Sequence, residues 1–160
     1  MPKTITNQYC KGMADYKIRV AKPGDKEVVK QIYKQEKEHI GSFNLYQVWD
    51  NFIGRKGSNR FIVVEGNNGV VAMCNYSYSS RKDCYVINDI GVLSGYKGSG
   101  IGRLILVSIK NKAQREGLHL ILKCNCDNTE GNAFYEKCGM KIYGINYTRS
   151  KGVKQNVWII

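Results

Sequence analysis

The chain has 160 residues, 42% of them hydrophobic and 24% charged. That length suits one domain with a real hydrophobic core and is too short for two. No apolar run reaches the roughly 20 residues of a transmembrane helix. Residues 1–14 are polar and carry no apolar stretch of the kind a secretory signal needs. We therefore expect a cytoplasmic protein with no membrane anchor, residues 1–14 forming a flexible lead-in and residues 15–160 a single domain.

The formal net charge is +12, with 12 basic and 6 acidic side chains in residues 1–60 and 11 and 4 in residues 94–160. Such a surface attracts anions, whether a nucleotide cofactor, a nucleic acid or an acidic protein. A merely solvated surface would carry the same residues, so charge does not choose among these. The cysteines, Cys10, Cys74, Cys84, Cys124, Cys126 and Cys138, are scattered. In a reducing compartment they read as small hydrophobes. Cys124 and Cys126 lack the two further ligands of a structural zinc site, so no metal is expected.

In chain order, residues 16–21 alternate as a strand and meet Pro23-Gly24-Asp25, a helix start. Val28, Val29, Ile32 and Tyr33 recur at helical spacing, and after the break at Gly41-Ser42 so do Leu45, Val48, Trp49, Phe52 and Ile53. Residues 61–65 and 70–78 are strands about Asn67-Asn68-Gly69, a hairpin signal. Residues 84–92 are a third strand of this meander. A Gly/Ser-rich loop follows over residues 94–100, then a helix with Ile101, Leu104, Ile105, Ser108 and Ile109 on one face, ended by Gly117. Residues 118–124 are an apolar strand. Asp127 or Asn128 caps a short helix that stops at Gly139, and residues 140–149 and 153–160 form a last hairpin about Lys151-Gly152. The order β-α-α-β-β-β-α-β-α-β-β has one β-α-β crossover among hairpins. It predicts an α/β (α+β type) fold, a mixed, mostly antiparallel sheet with helices on both faces.

The sharpest local feature is Lys97-Gly98-Ser99-Gly100-Ile101-Gly102, between an apolar strand and an amphipathic helix. Glycines let a backbone approach a ligand closely. The helix start offers free N–H groups and positive dipole, a combination that binds phosphates. No Gly-Lys-Ser/Thr closes the loop, so it is not a P-loop, and no acidic residue ends the next strand, as a dinucleotide fingerprint requires. A second feature follows: Asn128, then Phe134-Tyr135-Glu136-Lys137 and Gly139-Met140.

Together these features resemble the two motifs of the GNAT superfamily of coenzyme A-dependent N-acetyltransferases. The first is a strand, here ending Ile90-Gly91-Val92, then Gln/Arg-x-x-Gly-x-Gly/Ala opening a helix. The second is an Asn, then Tyr-Glu-Lys and Gly-Phe. Lys97 stands where Arg or Gln is usual and keeps the charge. Met140 stands where Phe is usual. The resemblance is specific over residues 84–140 and architectural elsewhere.

It implies an acetyl-CoA-dependent transferase acting on an amine, either a small molecule or a protein amino group. It implies that the pyrophosphate lies on the loop of Lys97, Gly98, Ser99, Gly100, Ile101 and Gly102. Pantetheine would pair with the strand edge near Ile90 and Val92, and Asn128 would bind the same arm, although Asn128 also reads as a plain helix cap. Tyr135 would assist the departing thiolate, its other reading being a core tyrosine. Asp89 is the nominal general base, with Asn88 on the opposite strand face. Glu65 is a weaker candidate, and Lys123 stands where some relatives carry Glu. His39 reads as a surface residue, His119 as structural, and Trp49 and Phe52 as core. A nucleic-acid acceptor and a non-catalytic CoA-binding module stay open as alternatives, as does the choice between monomer and homodimer.

Overall fold

The computed structural model describes residues 15–36 and 45–160; the expected lead-in, Cys10, His39 and the Gly41-Ser42 break lie outside them. The elements are β1 (Lys17–Val20), α1 (Lys26–Gln35), α2 (Leu45–Ile53), β2 (Asn59–Gly66), β3 (Gly69–Ser79), β4 (Cys84–Val92), α3 (Ile101–Arg115), β5 (His119–Asn125), α4 (Thr129–Lys137), β6 (Lys141–Tyr147) and β7 (Lys154–Ile159). This is the order the sequence predicts. Single 3-10 turns, Pro23–Asp25 and Ser94–Tyr96, precede α1 and α3. No helix among the described residues is long and apolar enough to cross a membrane.

The strands make one seven-stranded sheet in the order β1-β2-β3-β4-β5-β7-β6. All pairs are antiparallel except β4 with β5, which α3 joins as a crossover. Strand side chains alternate between faces, so the sheet supports two cores. Ile62, Val64, Ala72 and Cys74 pack with Leu104, Ile105 and Ile109 of α3. Phe61, Val63 and Met73 face the other way, against Val29, Ile32 and Tyr33 of α1 and Trp49 of α2. Burying each such side chain contributes about 1.5–3 kcal/mol. The ring of Trp49 meets Phe61 edge-on at 5.1 Å, so Trp49 is core.

Local chemistry sets the element ends. Arg19 forks onto Asp25 at 2.7 and 2.9 Å, and Lys22 N donates to Asp25 Oδ2, which fixes the entry to α1. Gly117 and Gly139 end α3 and α4 with φ of 70° and 85°, a region that side-chain-bearing residues avoid. Cys74, Cys84 and Cys124 are buried free thiols.

α1 lies unusually close to β4. A Cβ placed on Gly91 would sit 2.5 Å from Ile32 Cγ2 and 3.3 Å from Glu36 Cγ. Glycine at 91 therefore brings the C-terminal end of α1 down onto the strand that carries the candidate site.

Candidate active site

β4 and β5 pair only from Cys84↔His119 to Ile87↔Leu122. Beyond that point they part. β5 stays with β7, through Lys123↔Val157 and Asn125↔Gln155, while β4 stays with β3, through Asp89↔Asn75 and Val92↔Ala72. A bulge helps separate them. Asn75 faces Asp89 and Tyr76 faces Ile87, so Asn88 is the extra residue, and a bulge bends its strand and raises the local twist.

The parting leaves one edge of β4 open. Leu93 N donates to Val71 O over 2.8 Å, which makes those two a hydrogen-bonded pair of the antiparallel ladder. Alternation then assigns the main-chain N–H and C=O groups of Ile90 and Val92 to the opposite edge, toward the gap. A groove of about 1140 Å³ fills this gap. Ile90, Val92, Lys97, Gly98, Gly100, Ile101, Gly102, Asn128, Asp89 and Tyr135 all line it.

The glycine loop forms the groove mouth. Gly98 and Gly100 have φ of 80° and 86°, so both positions call for glycine on backbone grounds alone. Gly100 is the N-cap of α3 and brings no side-chain cap, so no capping side chain takes up the first-turn N–H groups. Gly102 has a packing reason as well: a Cβ there would meet Phe134 Cζ of α4 at 3.3 Å. Ser99 is the one expected loop residue off the groove wall. Its hydroxyl donates back to the Tyr96 carbonyl. Lys97 reaches across the mouth to Glu36 at the end of α1, Nζ to Oε1 at 2.7 Å.

α4 forms the opposite wall. Asn128 caps it, its Oδ1 accepting from Gly131 N at 2.9 Å. A Cβ on residue 131 would fall 2.6 Å from Asn128 Nδ2, so cap and glycine require each other. Asn132 ties this wall to the sheet. It donates to the Asn125 and Asn128 carbonyls and accepts from Asn156 Nδ2 and Trp158 Nε1. Tyr135 packs its ring beside Phe134 and Trp158. Among the described residues its hydroxyl has no hydrogen-bond partner. Burial pushes this phenol far above its ordinary value, helped by Cys124, Cys74, Cys138 and Glu36, so at neutral pH it is a proton donor.

Asp89 sits on the α1 side of β4. Tyr33 Oη donates to Asp89 Oδ2 at 2.6 Å, and Asn75 Nδ2 donates to the same oxygen at 3.4 Å. Burial pushes this carboxyl up from the ordinary aspartate range, against the two hydrogen bonds. The expectation that Asn88 and Asp89 lie on opposite faces is corrected. Asn88 Nδ2 donates to Ser77 Oγ and Asn59 Oδ1, both at 3.2 Å. Ser77 and Asn75 are two apart on β3 and share a face. The bulge therefore turns Asn88 and Asp89 to the same side.

Of the other titratable groups, Glu65 pairs with Arg19 at 2.9 Å, away from the groove. Lys123 lines the groove, with its ammonium lowered by burial and by Lys82. His119 is exposed at the start of β5. Glu36, Tyr33 and Arg103 are among the groove and groove-side residues that escape the sequence reading. Arg103 had a signal, as a cation directly after the glycine loop. The other two reach the site only through tertiary packing.

Solved structures of the same fold include an acetyltransferase from Salmonella typhimurium that modifies the N-terminal serine of ribosomal protein L7/L12, with TM-score 0.74 and 13% identity over 94% of this chain and 96% of that one. Another is the spermidine N-acetyltransferase SpeG from Vibrio cholerae, with TM-score 0.72 and 16% identity over 92% and 94%. A Bacillus anthracis protein assigned as a streptothricin acetyltransferase, solved with acetyl coenzyme A, has TM-score 0.60 and 20% identity over 70% and 66%. No curated protein matches the sequence. The chain belongs to the Acetyltransferase (GNAT) family, whose model matches residues 26–140.

Proposed function

We propose that this protein transfers an acetyl group from acetyl-CoA to an alkyl amine, and that the reaction takes place in the groove where β4 and β5 part. One observation carries the reading. An open strand edge, an uncapped helix start behind a glycine loop and a partly buried, unpartnered phenol all converge on one cleft. These features fit acetyl-CoA. The edge of Ile90 and Val92 matches an amide-bearing arm that adds as a strand would. The N–H groups and dipole of α3 match a pyrophosphate, with Lys97 and Arg103 adding charge. Acetyl-CoA supplies the activated acyl thioester.

The chain's own residues then have separate tasks. An alkyl ammonium has a pKa near ~10.4, so little of it is nucleophilic at neutral pH. Asp89 accepts its proton, and burial makes this carboxyl a stronger base than an exposed aspartate. The amine nitrogen bonds to the thioester carbonyl carbon and the carbon–sulfur bond breaks. The hydroxyl of Tyr135 hydrogen-bonds the departing thiolate or protonates it. Asn128 Nδ2, not used in capping, is left to hold the pantetheine arm.

The acceptor is a small-molecule amine or a protein amino group. Structural neighbours named for spermidine and for a protein N-terminus support both. The net charge of +12 keeps a nucleic-acid acceptor as the second reading. The test is a panel of polyamines, amino sugars, peptides and tRNA with acetyl-CoA, read by free-thiol release. Release that depends on an alkyl amine is expected. Release only with tRNA would favour the second reading, and none above the water background would count against transferase activity.

A further inference from the structure

The Glu36–Lys97 ion pair is hard to explain as structure alone. Lys97 is about half exposed, but the Glu36 side chain is only 13% exposed, and Lys97 is its only charged partner among the described residues. Glu36 also sits over the strand that carries the proposed base. Its Cγ lies over Gly91, which follows Asp89 by two residues on the same strand face. Tyr33, three residues before Glu36 on one face of α1, holds Asp89. A mostly covered carboxylate thus pairs with the loop cation and lies over the strand of the proposed base.

This position creates a conflict once a pyrophosphate enters the loop. The phosphate attracts Lys97, and Glu36 would then be left mostly covered without its counter-charge, an unfavourable arrangement. A cation delivered to the groove would relieve it. Two residues along a strand span about 6.6–6.8 Å, so Asp89 and the Gly91 position beneath Glu36 stand about that far apart. An acceptor with two ammonium groups a few bonds apart matches that pair: one ammonium stays charged on Glu36 while the other gives its proton to Asp89.

We propose that Glu36 is an acceptor-binding residue, held by Lys97 in the cofactor-free protein and released to the acceptor when the cofactor's phosphate takes Lys97. The acceptor class is then an amine with a second positive charge near the reacting nitrogen, and it binds after acetyl-CoA. This rests on the proposed placement of acetyl-CoA in the groove.

The test uses the full chain and two variants, Glu36→Gln and Lys97→Met, singly and together. Calorimetric titration with acetyl-CoA comes first. Glu36→Gln should tighten binding by roughly fivefold, the scale of a half-exposed ion pair. In the Lys97→Met background the same change should have little effect, because the competition is already gone. The second arm compares 1,4-diaminobutane with 1-aminobutane, which differ in the second ammonium. The wild type should favour the diamine by about tenfold or more in kcat/KM, mainly through KM, and Glu36→Gln should erase that preference. Unchanged acetyl-CoA affinity in Glu36→Gln, or an equal loss on both amines, would overturn the proposal. Wild-type protein that binds no acetyl-CoA would overturn the underlying reading as well, and the first titration separates the two failures.

Discussion

Tyr33 donates to Asp89 Oδ2 over 2.6 Å, joining the buried face of α1 to the bulged stretch of β4. A donor to the charged form holds a carboxyl's pKa down. Burial is the larger influence on Asp89 and pushes it up, so Tyr33 works against that rise. Tyr33→Phe keeps the ring in its apolar setting and removes the donor. If Asp89 is the base, the acid limb of the kcat/KM–pH profile should move to higher pH, since Asp89 then holds its proton more tightly. An acid limb that stays in place would show that the proton leaves by another route.

Asp89 also links function to stability. Its folded-state pKa is raised, so its contribution is fully present below the unfolded aspartate value and is lost as pH rises through the folded value. At neutral pH the buried charge costs stability. Asp89→Asn removes the charge and keeps an oxygen to accept from Tyr33. We expect the variant to melt higher than wild type at pH 8, with the difference shrinking toward pH 4, while turnover falls. Thermal melts at the two pH values check this, and a variant less stable than wild type at pH 8 would contradict it.

Tyr135→Phe separates packing from chemistry. The hydroxyl makes no hydrogen bond among the described residues, and the ring packs on Phe134 and Trp158. Melting temperature and acetyl-CoA affinity should therefore change little. The rate of thiol release should fall by roughly 10²-fold or more if the hydroxyl assists the leaving sulfur. Equal rates would make Tyr135 a core residue only.

The elements and the glycine loop were legible because their signals are local. Helical spacing marks α1 to α3, and Gly117 and Gly139 stand where the chain takes positive φ. The glycine-loop residues could be named for the same reason. The faces around Asn88 and Asp89 could not, because strict alternation puts neighbours on opposite sides. The bulge that turns both the same way arises from the register of β3 against β4. The Glu36–Lys97 pair joins positions far apart in the chain and has no local signature. In the sequence Tyr33 is one more apolar residue on the α1 stripe. Its ring is that, and only the packing of α1 on β4 brings its hydroxyl to Asp89.

Acetyl-CoA binding where β4 and β5 part is the central step, and calorimetric titration of wild type beside Gly100→Val tests it most directly. Gly100 has φ of 86° at the start of α3, a conformation that valine resists, so the variant should spoil the loop while leaving the two cores in place. One acetyl-CoA should bind per wild-type chain, stabilising the fold by about 2.7 kcal/mol at a hundred times the Kd, and binding should be severely weakened in the variant. A folded wild-type protein that takes up no acetyl-CoA at millimolar concentration, or a variant that binds as tightly as wild type, would contradict it.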